Sequence, residues 1–344
     1  MSREAQPLPI QAVSPSSVSL PWPPGHTPLM LAPMQGLTNR AMRSLFIDWV
    51  RPDLVFTEFM RVNAAAPVKR LSAGDLREVS SHEGGVPLVV QLIGHGREAL
   101  VSAARTAQSA GAAHINLNMG CPFGRMTTGL TGGGMLKRPA DLPEIIHSLR
   151  QAISGTFSVK LRAGYDDPEQ VLSLLPLFES AGVDFLVLHP RTVVQEYTGW
   201  ADHAVTAEVV RQTRLPVIAN GDIRSAATGL QVLRETGAAG LMLGRGAIAD
   251  PLLFERIRGR AAAEPDIKER GAELHRYLRD LLARYQDLFC GEAQVLGKIK
   301  GALATMDDPF FEMNLKKLRK SKNVRTFSAL LDEFNCTNMR PEND

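Results

Sequence analysis

The sequence is poor in aromatic residues, which make up 6% of its 344 residues, with 3 Trp and 4 Tyr. A binding surface dominated by stacked aromatics is therefore not expected. Cysteine is scarcer still. Cys121, Cys290 and Cys336 are the only 3. They are too few for a disulfide framework, and no CxxC pair exists. A reducing cytoplasm is the expected setting. No run approaches the roughly twenty apolar residues of a membrane helix. Residues 1–27 are rich in Pro and Ser and lack the basic start and apolar stretch of a signal peptide. They read as a mostly disordered leader. Large net charge is also missing: 39 basic against 36 acidic side chains give +3. That balance permits a polyanionic partner without demanding one. With 44% hydrophobic and 22% charged residues, the composition is globular, and a chain this long buries a large core.

What the chain does have is repetition. Short apolar runs recur at LMLAPM (29–34), LVFTEF (54–59), LVVQLIG (88–94), HINLNMG (114–120), FSVKLR (157–162), FLVLHPR (185–191), PVIANGD (216–222) and GLMLGRGA (240–247). Several are continuously apolar, as expected of parallel strands covered on both faces. Amphipathic segments lie between them at Arg97–Ala110, Leu142–Ile153, Pro168–Ala181 and Ala226–Thr236. Gly111, Gly182 and Gly237 follow three of these segments, in the place of a helix C-cap. Eight strand–helix units predict an α/β fold, a (β/α)8 TIM barrel. A doubly wound sheet ranks second, because no early GxGxxG fingerprint is present. Beyond about Ala261 the strand pattern stops. Amphipathic stretches at Leu274–Leu288 and Val295–Met306 and the basic run KKLRKSK (316–322) predict a smaller C-terminal helical domain. The domains are expected at 1–27, 28–260 and 261–344.

Barrel chemistry sits at the C-terminal ends of strands, and polar residues fall at every such end. They include Pro33, Met34 and Gln35; Glu58 and Arg61; Gln91; Asn118 and Cys121; Lys160 and Arg162; His189 and Arg191; Asn220, Gly221 and Asp222; Gly244 and Arg245. ANGDI and GRGA, after the last two strands, supply glycines and an arginine suited to a phosphate. Taken alone, these glycines equally suit tight βα turns. Lys160 interrupts a strand pattern, so it needs a partner or a task. If the phosphate belongs to a flavin mononucleotide, Lys160 offsets charge on the reduced ring and Gln91 meets its pyrimidine edge; the competing reading is an ion pair with Glu58 or Asp222. Cys121, in NMGCPFGRM, is a proton donor as a thiol and a nucleophile as a thiolate. Most buried cysteines are inert, but this one lies in a Gly- and Pro-rich loop at the catalytic face. His189 reads as an acid, a base, a phosphate donor or a hydrogen-bonded core imidazole. TGLTGGGM (128–135) is not a nucleotide fingerprint and reads as a mobile loop over the site. KKLRKSK is a solvated helix face or a phosphate grip.

The ordered set APMQG (32–36), TEFMRV (57–62), VQLIG (90–94), NLNMGCP (116–122), GGGMLKRP (132–139), VKLRAGYDD (159–167), LHPRT (188–192), PVIANGDI (216–223) and GLMLGRGAI (240–248) resembles the tRNA-dihydrouridine synthases. TEFMRV, PVK (67–69) and GKIKGAL (297–303) look most like the C-type bacterial branch. The resemblance implies FMN, reduced by NADPH, acting on a uridine of the tRNA D-loop region. Hydride passes from flavin N5 to C6 and a cysteine protonates C5. By this resemblance Cys121 is the catalytic acid. Ala32, Pro33, Met34, Gln91, Lys160, His189, Asn220, Gly221, Asp222, Gly244 and Arg245 match cofactor-binding positions. Asn118 and Arg162 match positions that touch the target uracil. The resemblance further implies tRNA as partner, no metal, no membrane and a cytoplasmic monomer. After Cys121, relatives are richer in lysine, and Arg125 keeps a charge there. GKIKGAL lacks the tryptophan of C-type relatives, with Ala302 nearby. The alternatives are a small-molecule flavoenzyme of the dihydroorotate dehydrogenase or ene-reductase kind, and a non-catalytic RNA-binding module. The former would remain active without residues 261–344.

Overall fold

A computed structural model describes residues 19–62, 64–65, 70–79, 84–123 and 130–336, without the side chains of 333–336. Its strands are β1 (Leu29–Leu31), β2 (Leu54–Phe56), β3 (Met60–Arg61), β4 (Leu88–Ile93), β5 (His114–Met119), β6 (Thr156–Arg162), β7 (Phe185–His189), β8 (Val217–Asn220) and β9 (Gly240–Leu243). All pair in parallel, in the order β2-β1-β9-β8-β7-β6-β5-β4-β3, and a further pairing of β2 with β4 closes the ring. β2 sits against the start of β4 (Val55 beside Leu88) and β3 against its end (Met60 beside Leu92). They are two pieces of one strand, so the ring is an eight-stranded TIM barrel. The sequence predicts LVFTEF as an unbroken strand. It breaks after Phe56, because the Thr57 side-chain hydroxyl accepts the Gln91 N–H at 3.1 Å, a bond a ladder carbonyl would otherwise make.

Around the ring run α1 (Arg40–Val50), α2 (Ala73–Val79), α3 (Arg97–Ser109), α4 (Leu142–Ala152), α5 (Gln170–Ala181), α6 (His203–Gln212) and α7 (Ala226–Thr236). Local sequence fixes their ends. The side chains of Asn39, Asp202 and Ser225 cap the N-termini of α1, α6 and α7. Gly182 and Gly237, at φ 76° and 67°, end α5 and α7 in the left-handed region where glycine carries no steric cost. Two short helices, α8 (Arg245–Ala249) and α9 (Leu253–Ile257), follow β9.

The period-two alternation of strands sorts the barrel interior into layers. The lower layers are apolar, with Met30, Leu54, Phe56, Val89, Phe185, Val187, Ile218 and Met242 in one cluster. Two residues further along their strands, Val89, Val187 and Ile218 give way to Gln91, His189 and Asn220. Trp22 closes the bottom, edge-on to Phe185 with ring centroids 5.0 Å apart. Part of the expected leader is therefore ordered: Ser19–Thr27 are described, and Trp22 belongs to the core. Residues 1–18 lie outside the described residues.

The C-terminal helices are α10 (Ile267–Leu288), α11 (Glu292–Leu303), α12 (Glu312–Lys320) and α13 (Val324–Cys336). Fully buried Tyr277 on α10 meets Phe46 and Trp49 of α1 at 6.5 and 6.1 Å between ring centroids. One apolar cluster runs from Leu29, Met42 and Phe46 through Tyr277, Tyr285 and Ile299 to Leu331. A buried charge network ties the same junction. Arg256 binds Asp250 at 2.8 Å and Glu273, and Arg270 binds Asp250 at 3.2 Å and Asp308 at 3.1 Å. Among the described residues no helix is long and apolar enough to cross a membrane.

Candidate active site

A cavity of about 690 Å³ opens where the strands end. All the residues singled out from the sequence as catalytic, cofactor-binding or substrate-binding line it except Gln91: Ala32, Pro33, Met34, Asn118, Cys121, Lys160, Arg162, His189, Asn220, Gly221, Asp222, Gly244 and Arg245. Gln91 lies beneath, fully buried. Its Nε2 donates to Asn116 at 2.8 Å and its Oε1 accepts from Asn118 Nδ2 at 2.9 Å. Asn116 in turn donates to Ser158 Oγ at 2.8 Å. This amide chain crosses β4, β5 and β6 and fixes the Asn118 side chain.

Asn118 then shapes the catalytic loop. Its Oδ1 accepts the backbone N–H groups of Gly120 and Cys121, both at 3.0 Å. Cys121 is thereby held at the end of β5 with its thiol on the cavity wall. Burial raises the Cys121 pKa above the ordinary thiol range. The Phe123 backbone N–H and the charges of Arg162, Lys160 and Arg61 pull the other way. The group is a thiol at neutral pH, which favours proton donation over nucleophilic attack. The described part of the expected mobile loop is a correction. Gly132–Lys137 form a 3-10 turn whose first five residues are buried. Gly133 N–H donates to the Cys121 carbonyl at 3.0 Å, and a Cβ there would lie 2.6 Å from Val193. These glycines allow close packing beneath Cys121. Arg125, Thr128 and Gly129 lie outside the described residues, as does the PVK segment.

Lys160 is buried and donates to Asn220 Oδ1 at 2.9 Å. Neither Glu58 nor Asp222 pairs with it. Burial, with Arg162 nearby, lowers its pKa from the ordinary 10.5 to about 7. Asp222 is engaged elsewhere: it pairs with Arg191 at 2.6 Å and Arg245 at 3.3 Å and accepts the Ala201 N–H at 2.9 Å. His189 is held well below the ordinary imidazole pKa by burial and by the positive charges of Lys160, Arg162, Arg191 and Arg245. It is neutral at pH 7. Arg162 donates to the carbonyls of Gly120 (2.9 Å), Thr192 (2.8 Å) and Glu196 (2.5 Å).

Sequence reasoning missed Tyr197. Its ring takes the guanidinium groups of Arg162 and Arg245 at 5.3 and 4.8 Å and stands edge-on to His189 at 6.5 Å. The available signal was an aromatic pair, Tyr197 and Trp200, in a loop following a strand end. Thr305 was missed too. It reaches the cavity wall from the helical segment just after α11.

A parallel barrel with a deep cavity of buried cations and a neutral thiol defines an enzyme of the TIM-barrel class. Comparison then identifies the branch. A family profile described as "Dihydrouridine synthase (Dus)" matches residues 30–319, and the chain belongs to this family. Its product is a reduced uridine, so the family is one of oxidoreductases. The "Probable tRNA-dihydrouridine synthase" of Rhodobacter capsulatus is 32% identical over 246 residues, covering 70% of this chain and 74% of that protein. "tRNA-dihydrouridine synthase B" of Pseudomonas putida is 32% identical over 267 residues, covering 76% and 78%. A protein of the same name from Vibrio cholerae is 33% identical over 231 residues, covering 67% and 70%. The lettered names are B, where TEFMRV and GKIKGAL suggest the C-type branch. Among solved structures, the old yellow enzyme homologue of Zymomonas mobilis superposes with a TM-score of 0.52 at 16% identity, over 70% of this chain and 90% of that one. That likeness is one of fold.

Proposed function

We propose that this chain is an FMN- and NADPH-dependent tRNA-dihydrouridine synthase that reduces one uridine of the D-loop region, working as a cytoplasmic monomer. Residues 28–260 carry the chemistry and 261–344 help hold tRNA. The observation that carries the reading is the placement of a neutral Cys121 thiol on the wall of a cavity that also presents Lys160 and Arg162.

The residues present fit a flavin mononucleotide. Gly221, Gly244 and Arg245 form a small-residue, cationic corner suited to its phosphate. Ala32, Pro33, Met34 and Met242 offer an apolar wall for a ring. Buried Lys160 has no carboxylate partner among the described residues, and an anionic ring edge would supply one. Gln91 acts on this site through Asn118. When bound and reduced, the flavin supplies hydride to C6 of uracil. Cys121 then protonates C5, a contribution of about 10²–10⁴-fold in rate. Asn118 and Arg162 orient the base. Burial keeps the Cys121 proton in place until the base arrives. A uracil reaches this depth only by leaving its stack, and a looped D-arm lowers that cost.

The test is Cys121→Ala assayed in two halves. Flavin content and flavin reduction by NADPH remain, while dihydrouridine, read by nucleoside mass spectrometry on unmodified tRNA, falls at least about a hundredfold. Normal turnover by this variant removes the proton-donor role. Wild-type protein that consumes NADPH but leaves tRNA unreduced points to a small-molecule substrate.

A further inference from the structure

Tryptophan is among the more buried residues of folded proteins. Trp22 is in the barrel core, and Trp49 packs on Tyr277. Trp200 instead leaves 86% of its surface open. It lies between β7 and α6, shortly after Tyr197 on the cavity wall and next to Ala201, whose N–H is bound by Asp222 at 2.9 Å. Its backbone therefore lies one residue from a contact with the cavity wall, and its ring is open to solvent.

The backbone beneath it is tied down. Buried Arg191 donates to the carbonyls of Thr198 at 3.1 Å and Gly199 at 2.5 Å while paired to Asp222. Arg162 holds Thr192 and Glu196 further back along the same connection. The loop is ordered by its own buried cations, so a ligand need not order it. Beneath the connection lie the guanidinium groups of Arg162, Arg191 and Arg245, two of them paired with Asp222. An exposed flat ring on a loop held rigid from below suits a partner that presents π-faces. A single-stranded nucleic acid has that chemistry, with bases that stack.

We propose that Trp200 is a stacking platform for an unpaired base next to the nucleotide that enters the cavity. The chain then grips its substrate by two bases, one inside and one on the rim. This rests on the reading that the substrate is RNA.

The experiment compares flavin-loaded wild-type protein with Trp200→Ala and Trp200→Phe, using unmodified tRNA as the probe. In wild type, tRNA quenches tryptophan emission, and Trp200→Phe abolishes the quenched component. Trp200→Ala raises Kd and KM for tRNA about tenfold, the scale of one lost base stack, with kcat nearly unchanged. Trp200→Phe keeps most of the affinity because it retains an aromatic face. Flavin content and NADPH-driven flavin reduction stay as in wild type. Wild-type affinity in Trp200→Ala, with emission indifferent to tRNA, overturns the platform and leaves the substrate reading intact. Wild-type protein that neither binds nor reduces tRNA overturns both.

Discussion

At the scale of single residues, Lys160 makes the sharpest claim. A buried lysine whose pKa drops from 10.5 to about 7 is charged in the unfolded chain and neutral in the folded one between those values. The unfolded state then binds more protons, so this group's contribution to stability rises with pH from about 7 to 10.5 and is flat below 7. In protein freed of flavin, Lys160→Met is expected to melt several degrees above wild type at pH 6, with the gap closing by pH 10. A gap independent of pH would show that Lys160 is already paired with an anion. Lys160 was legible in the sequence because a charge inside an apolar strand is conspicuous. Asn118 was legible as a site residue; its part in capping the turn that presents Cys121 is an Asx pattern to the N–H groups two and three residues on, a signal carried by the Asn118-Met119-Gly120-Cys121 spacing itself. Gln91 shares the layer of His189 and Asn220, but alternation gives only its side of the strand, not the Asn116–Gln91–Asn118 chain that engages its amide.

At the scale of elements, the eight strands and most helices were legible from periodicity and glycine caps. The split between β2 and β3 was not, because it depends on one threonine hydroxyl replacing a ladder bond. The turn from β9 into α8 shows how little slack the corner of Gly221, Gly244 and Arg245, proposed for a phosphate, has. A Cβ on Gly246 would overlap the Ile223 carbonyl oxygen, a backbone atom that cannot step aside without moving the β8 loop. Gly246→Ala is expected to displace the loop carrying Gly221 and Asp222. Flavin content after purification should fall severalfold, with a stability loss of about 1–3 kcal/mol from overpacking. Full flavin occupancy in this variant would mean that the corner is not where the cofactor phosphate sits. The same reasoning explains why GGGM resembled a loop in sequence. Runs of glycine mark both mobility and close packing, and only the neighbours of Gly133 tell them apart.

At the scale of the whole molecule, the sequence suggested a boundary at about residue 260, where the strand pattern stops. Packing does not stop at it. The aromatic cluster of Phe46, Trp49, Phe254 and Tyr277 spans it, as does the Arg256–Asp250–Glu273–Arg270 network. Removing residues 261–344 would uncover the apolar face of α1 and take Glu273 from Arg256, which keeps Asp250. The shortened chain is expected to aggregate or melt far below the full one in calorimetry. A soluble, cooperative 1–260 fragment would show that the barrel folds alone. The basic run needs point changes instead. Lys316, Lys317, Lys320 and Lys322 are exposed, while the Arg319 guanidinium is held by the carbonyls of Leu303 and Met306.

Thr305 on the cavity wall gives this shared core a further meaning. A ligand filling the cavity touches both the barrel and the helical segment, and so acts as a rivet across their seam. Occupancy at the mouth is therefore expected to raise the amide protection of α10, which shares an apolar cluster with β1 and α1, above that of the vacant protein in hydrogen exchange.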